Sequence, residues 1–430
     1  MRILVLGSGG REHAIVHSLA GSPSVDAIYA APGNGGTASE RVTINVPLDL
    51  EDIAAVVAFA QDKDIDLAMI GPEGPLCAGM ADAFRAVGIP TVGPSKDGAR
   101  LEGSKSFSKE VMQRAMIPTA ASETFTNREA ALAYLGTKTA PIVVKADGLA
   151  AGKGVTVATE MSQAIEAVEE CFSGRFGSAG SVVVVEDFLE GPECSLLAFV
   201  DGTTVMPMSP AQDHKRVGDG DTGPNTGGMG VYSPVPGVDA KEYSRMLEIL
   251  EMTARALHDE GIDFRGILYG GFVLTAEGPM VLEYNTRFGD PETQVLLPRL
   301  QTDLAEVLMA LATGTLEDLG LLSWTSHVAV SVVIASGGYP GDYATGKPIT
   351  GIAAAEEVPG VTVFHAGTKL ADDGTLVTAG GRVLNVTAVA SDFPTAIANA
   401  YEAVGRISFE GAFYRHDIAH RAVVARQPGA

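Results

Sequence analysis

Along the first hundred residues short apolar runs alternate with longer stretches of helical period. The runs Arg2–Leu6, Ala27–Ala31 and Leu67–Ile70 predict buried strands. Between them Glu12–Ala20, Asp49–Lys63 and Ala78–Val87 predict helices, and in the second of these Ile53, Val56, Val57 and Ala60 share one face. Glycine- and proline-rich turns (Gly7–Gly10, Pro32–Gly36, Gly71–Pro75) close the strands, and Thr91–Val92 predicts a last short one. Such β–α alternation with short connections predicts a Rossmann-like parallel sheet with helices on both faces. Ligands then belong at the carboxyl ends of its strands.

The pattern changes near Gly98. Ser104–Met116 predicts a helix stopped by Pro118. Residues 142–185 hold two strand–glycine–strand stretches and one helix, Ser162–Phe172, and residues 191–237 form a long loop rich in Gly, Pro, Asp and Thr. Lys241–Glu260 predicts a helix, Ile267–Leu274 and Met280–Tyr284 strands, and Glu292–Ala312 a further helix. From about Ser326 to Phe413 short strands dominate, with one helix near Phe393–Gly405. The longest uncharged stretch, Leu319–Gly341, carries serines, glycines and His327, which fits a loop and a buried strand over Val328–Ala335 and no bilayer span. Length and texture together predict three domains: 1–100, 101–325 with a lid over about 120–190, and a small mainly β domain over 326–430.

Composition narrows the chemistry. Thirty Lys and Arg stand against 53 Asp and Glu, a net charge of −23, which sets aside a general nucleic-acid binder. Any phosphate site in such a chain must be a local gathering of cations and backbone N–H groups. The three cysteines are widely spaced, without a C-x-x-C pair, and the N-terminal apolar run is too short for a signal peptide. The expectation is a cytoplasmic protein with reduced thiols, outside the membrane, and a monomer because no coiled coil or exposed apolar helix is evident.

Five segments carry chemical content. Gly7-Ser8-Gly9-Gly10-Arg11-Glu12-His13 follows a strand and opens a helix, a candidate anion or substrate site or else a plain tight turn. Glu12 stands where a dinucleotide fingerprint needs glycine, which weakens nicotinamide binding. Ile142–Lys145 runs into Ala146–Gly154, which departs from a Walker loop in spacing and in the strand that follows. It reads as a glycine-rich hairpin able to lay Gly152, Lys153 and Gly154 over a triphosphate while Lys145 neutralises it. Its bland alternative is a surface hairpin. Val182–Val185 leads into Glu186, Phe188, Leu189 and Glu193, an edge suited to adenosine, or to solvent. Asp213–Gly230 is the densest polar loop, suited to a small charged substrate; His214 lacks metal-ligand spacing. In Met280–Arg287 alternation puts Val281, Glu283 and Asn285 on one face, with Arg287 continuing it. Two oxygen ligands two residues apart can hold Mg²⁺, and the guanidinium can clamp a phosphoryl oxygen.

Taken in order, the Lys-bearing helix, the Lys strand, the glycine hairpin, the Glu strand and Glu283-x-Asn285-x-Arg287 resemble the ATP-grasp superfamily. The opening Gly7–His13, His214-Lys215-Arg216 with Asp221–Gly230, Arg287–Glu292 and the final Tyr414–Ile418 resemble, within it, the phosphoribosylamine–glycine ligase family, over the whole chain. The resemblance implies ligation of glycine to 5-phosphoribosylamine through a glycyl phosphate, with ATP giving ADP and phosphate, in purine synthesis. It implies nucleotide contacts from Lys105, Lys145, Lys153, Glu186, Leu189 and Glu193, and Mg²⁺ or Mn²⁺ on Glu283 and Asn285. Arg287, Lys153 and Lys215 are the expected catalytic cations. Substrate contacts are expected from Gly9, Gly10, Arg11 and Glu12 on the ribose 5-phosphate side, with Lys215 or Arg216. Asp213 or Asp221 is the candidate for the glycine ammonium. Gly223, Pro224, Asn225, Thr226 and Gly228, with Asp290, Pro291 and Glu292, complete the expected substrate surface. The strand Leu268–Phe272 lacks the acid many ATP-grasp enzymes carry there. A sister ATP-grasp ligase, a nicotinamide oxidoreductase and a nucleotide sensor stay open as alternatives.

Overall fold

The computed structural model describes residues 1–150 and 154–424. Its first sheet is parallel throughout, in the order Thr43–Asn45, Ala27–Pro32, Arg2–Gly7, Leu67–Ile70, Thr91–Val92. Alternation sends its side chains into two different cores. Ile3, Val5, Ile28, Leu67 and Met69 join one cluster, and Leu4, Leu6, Ala68 and Ile70 join another on the opposite face. The first cluster continues into Leu197, Phe199, Ile267 and Phe288, so the parallel sheet is packed onto the middle of the chain.

That middle is built on an antiparallel sheet ordered Thr204–Pro207, Glu193–Asp201, Arg265–Thr275, Gly278–Asn285. Its second face receives the helix Ala240–Asp259 through Met246, Ile249, Leu250, Ala254 and Leu257. A smaller antiparallel sheet, Ser122–Phe125, Val183–Asp187, Ile142–Ala146, Val155–Ala158, is covered on one face by the helices Arg128–Leu135 and Met161–Phe172. Ile142, Val144, Val183 and Val185 fill that core. The alternate residues Lys145 and Glu186 therefore sit on the uncovered face, which looks into the cleft.

The last sheet is ordered Gln212–Asp213, Gly230–Ser233, Val328–Ala335, Arg382–Ala390, Val361–His365, and helix Phe393–Val404 packs on it. Two of its strands precede residue 326, so the sheet crosses the boundary expected there. The polar loop is thereby suspended between paired residues, Asp213 opposite Val231.

Three expectations need correction. The stretch 292–312 is not one helix: Thr293–Leu296 passes into a 3₁₀ turn, Leu297–Arg299, because Pro298 lacks an N–H to continue the ladder. A new helix, Leu304–Thr313, starts where the Asp303 side chain accepts from the N–H of Ala305. Ala78–Val87 is likewise divided at Gly79, whose φ of +94° ends Glu73–Ala78 before Met80–Ala86 begins. Finally, a β-bulge opposite Gly271 and Phe272 shifts the pairing of Gly278–Asn285. Val281 joins the same core cluster as Tyr284, whereas Glu283 and Asn285 line the cleft.

A buried polar latch joins the first and last sheets. The N–H of His365 donates to His13 Nδ1 at 2.7 Å, which leaves Nε2 as donor to Glu40 at 3.2 Å. His17 reaches the same carboxylate oxygen at 2.8 Å. Burial opposes ionisation of Glu40, but the two imidazoles hold its pKa down at about 2. A carboxyl depressed in the folded state stabilises fully above its ordinary pKa and loses that contribution as pH falls. Glu40→Gln is therefore expected to lower stability by about 1–2 kcal/mol after allowance for solvent screening. The gap to wild type should close as pH falls from 4.5 toward 2, and thermal unfolding of both proteins across that range measures it.

Candidate active site

A cleft of about 1160 Å³ takes its walls from the four larger sheets and their loops. Its floor is cationic. Ser104 caps the helix Lys105–Arg114 by accepting from the N–H of Phe107 at 3.2 Å, and Lys105 and Lys109, one turn apart, share a face. Lys105 Nζ donates to the Gly148 carbonyl at 3.1 Å. Lys109 Nζ donates to Thr119 Oγ1 at 2.8 Å and lies 3.4 Å from Glu186 Oε2. Lys145 Nζ lies 2.9 Å from that same oxygen and donates to the Leu282 carbonyl at 3.1 Å. Burial pushes the Lys109 ammonium down to about 8, with Glu186 opposing and Lys145 assisting. Lys109 was not among the expected residues, although its spacing from Lys105 signalled it.

Glu283 and Asn285 face these lysines across the cleft. Burial alone would raise the Glu283 carboxyl, but Lys215, Lys145, Lys105 and Arg287 together draw it below its usual range. Lys215 Nζ lies 3.9 Å from Glu283 Oε1 and 3.6 Å from Glu193 Oε2. Two oxygen donors on one strand beside a cationic floor suit a hard divalent ion that takes its other ligands from phosphates and water. Among the described residues no cluster of three or more His, Cys, Asp or Glu side chains could hold a metal unaided.

Arg287 is held from three sides. Nη2 lies 2.9 Å from Glu102 Oε1 and donates to Asn285 Oδ1 at 3.2 Å, and Nε lies 3.4 Å from Glu73 Oε2. The other oxygen of Glu102 accepts from the N–H of Thr286 at 2.8 Å. Burial raises the Glu102 carboxyl even against Arg287. Glu73 and Glu102 come from the helices Glu73–Ala78 and Lys96–Gly103 and were not anticipated.

Beyond Lys215 an acidic corner forms. Burial raises Asp213 to about 7, Lys215 opposing and Glu292 and Glu193 adding. Glu292 Oε1 accepts from the Tyr269 hydroxyl at 2.8 Å, itself 2.8 Å from Ser195 Oγ. Asp213 strengthens the positive charge of Lys215. Acids and one ammonium side by side match the two ends of a zwitterion.

The glycine turn forms the opposite wall through Gly9, Arg11 and Glu12. Gly9 donates its N–H to Glu12 Oε2 at 2.6 Å, and the Asp290 carboxylate sits against the same turn, where a Cβ on Gly9 would come within 3.1 Å of it. Gly10 lies behind the wall, where a Cβ would come within 2.6 Å of Asn385 and Gln294.

Of the expected residues, Lys105, Lys145, Gly154, Glu186, Asp213, Lys215, Thr226, Glu283, Asn285, Arg287, Asp290 and Glu292 also line the cleft. Gly152 and Lys153 lie outside the described residues. Phe188 is exposed and, with Leu189 and Glu193, stands off the cleft wall, though Glu193 touches Lys215. Asp221 departs from its expected role at the glycine ammonium. Arg415, at 3.0 Å, and Arg421 hold it against the C-terminal segment, away from the wall. Arg216 follows it outward, donating to the Gly223 carbonyl at 2.7 Å, and Pro224 and Asn225 lie in the same exposed hairpin. Gly228 and Pro291 pack on one another behind the wall. His214 is buried, accepts from the N–H of Ala419 at 3.1 Å and is driven down to about 3 by burial and by Arg415.

A lysine-bearing lid sheet facing an antiparallel sheet that presents Glu283 and Asn285 defines an ATP-grasp enzyme. The biotin carboxylase domain of 2-oxoglutarate carboxylase from Hydrogenobacter thermophilus, solved with ADP, magnesium and bicarbonate, shares this fold. Its TM-score is 0.74 over 99% of this chain and 94% of that one, at 16% identity. The narrower family is set by closer relatives. Family models for phosphoribosylglycinamide synthetase match residues 1–102 (N domain), 103–293 (ATP-grasp A domain) and 329–421 (C domain). The phosphoribosylamine–glycine ligase of Vibrio cholerae is 51% identical over 99% of this chain and 100% of that one. That of Agrobacterium fabrum is 52% identical over 98% and 99%. The crystal structure of the Thermotoga maritima ligase covers 97% of this chain and 100% of its own, with TM-score 0.84 and 33% identity. The chain belongs to the phosphoribosylglycinamide synthetase family.

Proposed function

We propose that this cleft binds ATP, glycine and 5-phosphoribosylamine together. The chain is an ATP-dependent ligase that joins the last two, the second step of purine biosynthesis. The observation that carries the site assignment is the convergence of three lysines, Glu283, Asn285 and Arg287 with the acidic corner around Asp213 in one cavity.

A carboxylate is a poor acylating agent, so the reaction needs it activated. A glycine oxygen attacks the γ-phosphorus and ADP leaves. The amine nitrogen of phosphoribosylamine then attacks the glycyl carbonyl, phosphate departs and the nitrogen gives up a proton. Lys105, Lys109 and Lys145 hold the phosphates, Arg287 offsets charge gathering on the transferred group, and Asp213 with Glu292 grips the glycine ammonium. Mg²⁺ or Mn²⁺ fits Glu283 and Asn285, whose amide oxygen keeps a lone pair beyond its bond to Arg287, and supplies further neutralisation of phosphate charge when bound. The lid sheet, closing with Gly154 and its hairpin, keeps water from the acyl phosphate. The cysteines are free, which suits a reducing compartment such as the cytoplasm.

Phosphate release from Mg-ATP is expected only when both glycine and freshly made phosphoribosylamine are present. Release that needs neither, or that follows a different acid, would reject this substrate pair.

A further inference from the structure

The amine substrate carries a phosphate, and the glycine turn is its obvious receptor. The structure argues otherwise. The N–H of Gly9 already serves the internal carboxylate of Glu12. An incoming dianion there would meet the Glu12 carboxylate, which takes both the Gly9 N–H and the Arg11 guanidinium.

A second cavity, of about 470 Å³, opens beside the same turn and shares Ser8, Gly9, Pro32, Asp290 and Arg382 with the main cleft. Two cations line it, Lys369 and Arg382, both from the last 70 residues of the family-matched chain. Arg382 is anchored by donating Nη1 to the carbonyls of Gly227 at 2.7 Å and Asp290 at 2.9 Å. Its Nη2 lies 3.5 Å from Asp290 Oδ1, a loose pair. Lys369 is exposed and has no ion-pair or hydrogen-bond partner among the described residues. Tyr339 Oη accepts from the N–H of Gly227 at 3.1 Å, which leaves its own proton to donate. In a chain of net charge −23 this pairing of cations, with Asp290 as the acid paired to one of them, is a local exception.

We propose that the side cavity is the phosphate subsite for 5-phosphoribosylamine, with Lys369, Arg382 and the Tyr339 hydroxyl as its donors. The sugar then crosses the Ser8–Gly9 rim and delivers its amine to the acyl centre in the main cleft. This rests on the ligase reading above and adds where the substrate is gripped. The anchored guanidinium fixes direction, and the free ammonium supplies charge. The subsite discriminates a sugar phosphate from a sugar without involving any group at the reacting atoms.

The test uses ribose 5-phosphate and ribose as inhibitors of the full-length enzyme. Ribose 5-phosphate is expected to compete with phosphoribosylamine and ribose to be weaker by at least about tenfold. Lys369→Ala, on an exposed side chain, is expected to raise the ribose 5-phosphate inhibition constant and the KM for phosphoribosylamine about 10- to 100-fold. The KM values for ATP and glycine and kcat at saturating amine should stay unchanged. Arg382→Gln should act in the same sense, and Lys369→Arg should restore most of the loss. If Lys369→Ala and Tyr339→Phe both bind ribose 5-phosphate as wild type does, the phosphate lies elsewhere and the subsite is rejected. A wild type that releases no phosphate with glycine and phosphoribosylamine would instead reject the ligase reading.

Discussion

Arg287→Ala is expected to lower kcat about 10²- to 10³-fold, the usual loss when one donor to a developing charge is removed, while ATP affinity changes much less. The guanidinium also has a structural duty, and the two must be separated. It lies 2.9 Å from Glu102, a buried carboxylate whose other oxygen is bonded to the Thr286 backbone. Breaking such a pair from one side costs about 3–5 kcal/mol when the charge left behind stays ionised. Burial already raises the Glu102 carboxyl, so in the variant it takes a proton instead. A carboxyl raised in the folded state contributes stability below its ordinary pKa and loses it as pH rises. The variant should therefore unfold progressively more easily above pH 4.5 than wild type does. Adding Glu102→Gln removes the stranded charge. Arg287→Ala/Glu102→Gln is expected to regain stability and its pH independence but not turnover. Recovery of turnover in the double variant would reduce Arg287 to a structural brace.

How much of this could be read from the sequence depends on the range of the interaction. Strands such as Arg2–Gly7 and Val328–Ala335 were legible because short apolar runs with turn signals are local. Glu283-x-Asn285 was legible because alternation along one strand sets both side chains toward one face. The same rule misplaced Val281, since the bulge depends on the neighbouring strand, Arg265–Thr275. Asp221 looked free because Arg415 and Arg421 lie about 200 positions further on. Nothing nearby in sequence announces that Asp290 comes up against the glycine turn at Gly9. Glu102 and Glu73 carry no motif at all; only the meeting of three segments around one guanidinium gives them meaning. Lys109 is different: a second lysine one turn past Lys105 was visible, and its role was the part left unread.

The cations around Glu283 make the largest expected effect. Lys215, Lys145, Lys105 and Arg287 all stabilise its charge, and Lys215 is the nearest at 3.9 Å. Glu283→Gln keeps the shape and removes the one carboxylate that, with the neutral oxygen of Asn285, would hold the divalent ion. Turnover is expected to fall about 10³-fold or more, since metal stabilisation of a phosphoryl transition state is worth several kcal/mol. Two opposite changes in binding should accompany it. Affinity for the metal–nucleotide complex should drop, because a hard cation loses its charged ligand. Affinity for metal-free ATP should hold or rise, because four cations no longer share their field with a carboxylate and meet the phosphates alone. Calorimetric titration of ATP into both proteins, with Mg²⁺ and with chelator, reads the two terms separately. A simple packing defect would weaken both titrations together. Retention of the wild-type Mg²⁺ dependence and turnover would move the metal away from Glu283.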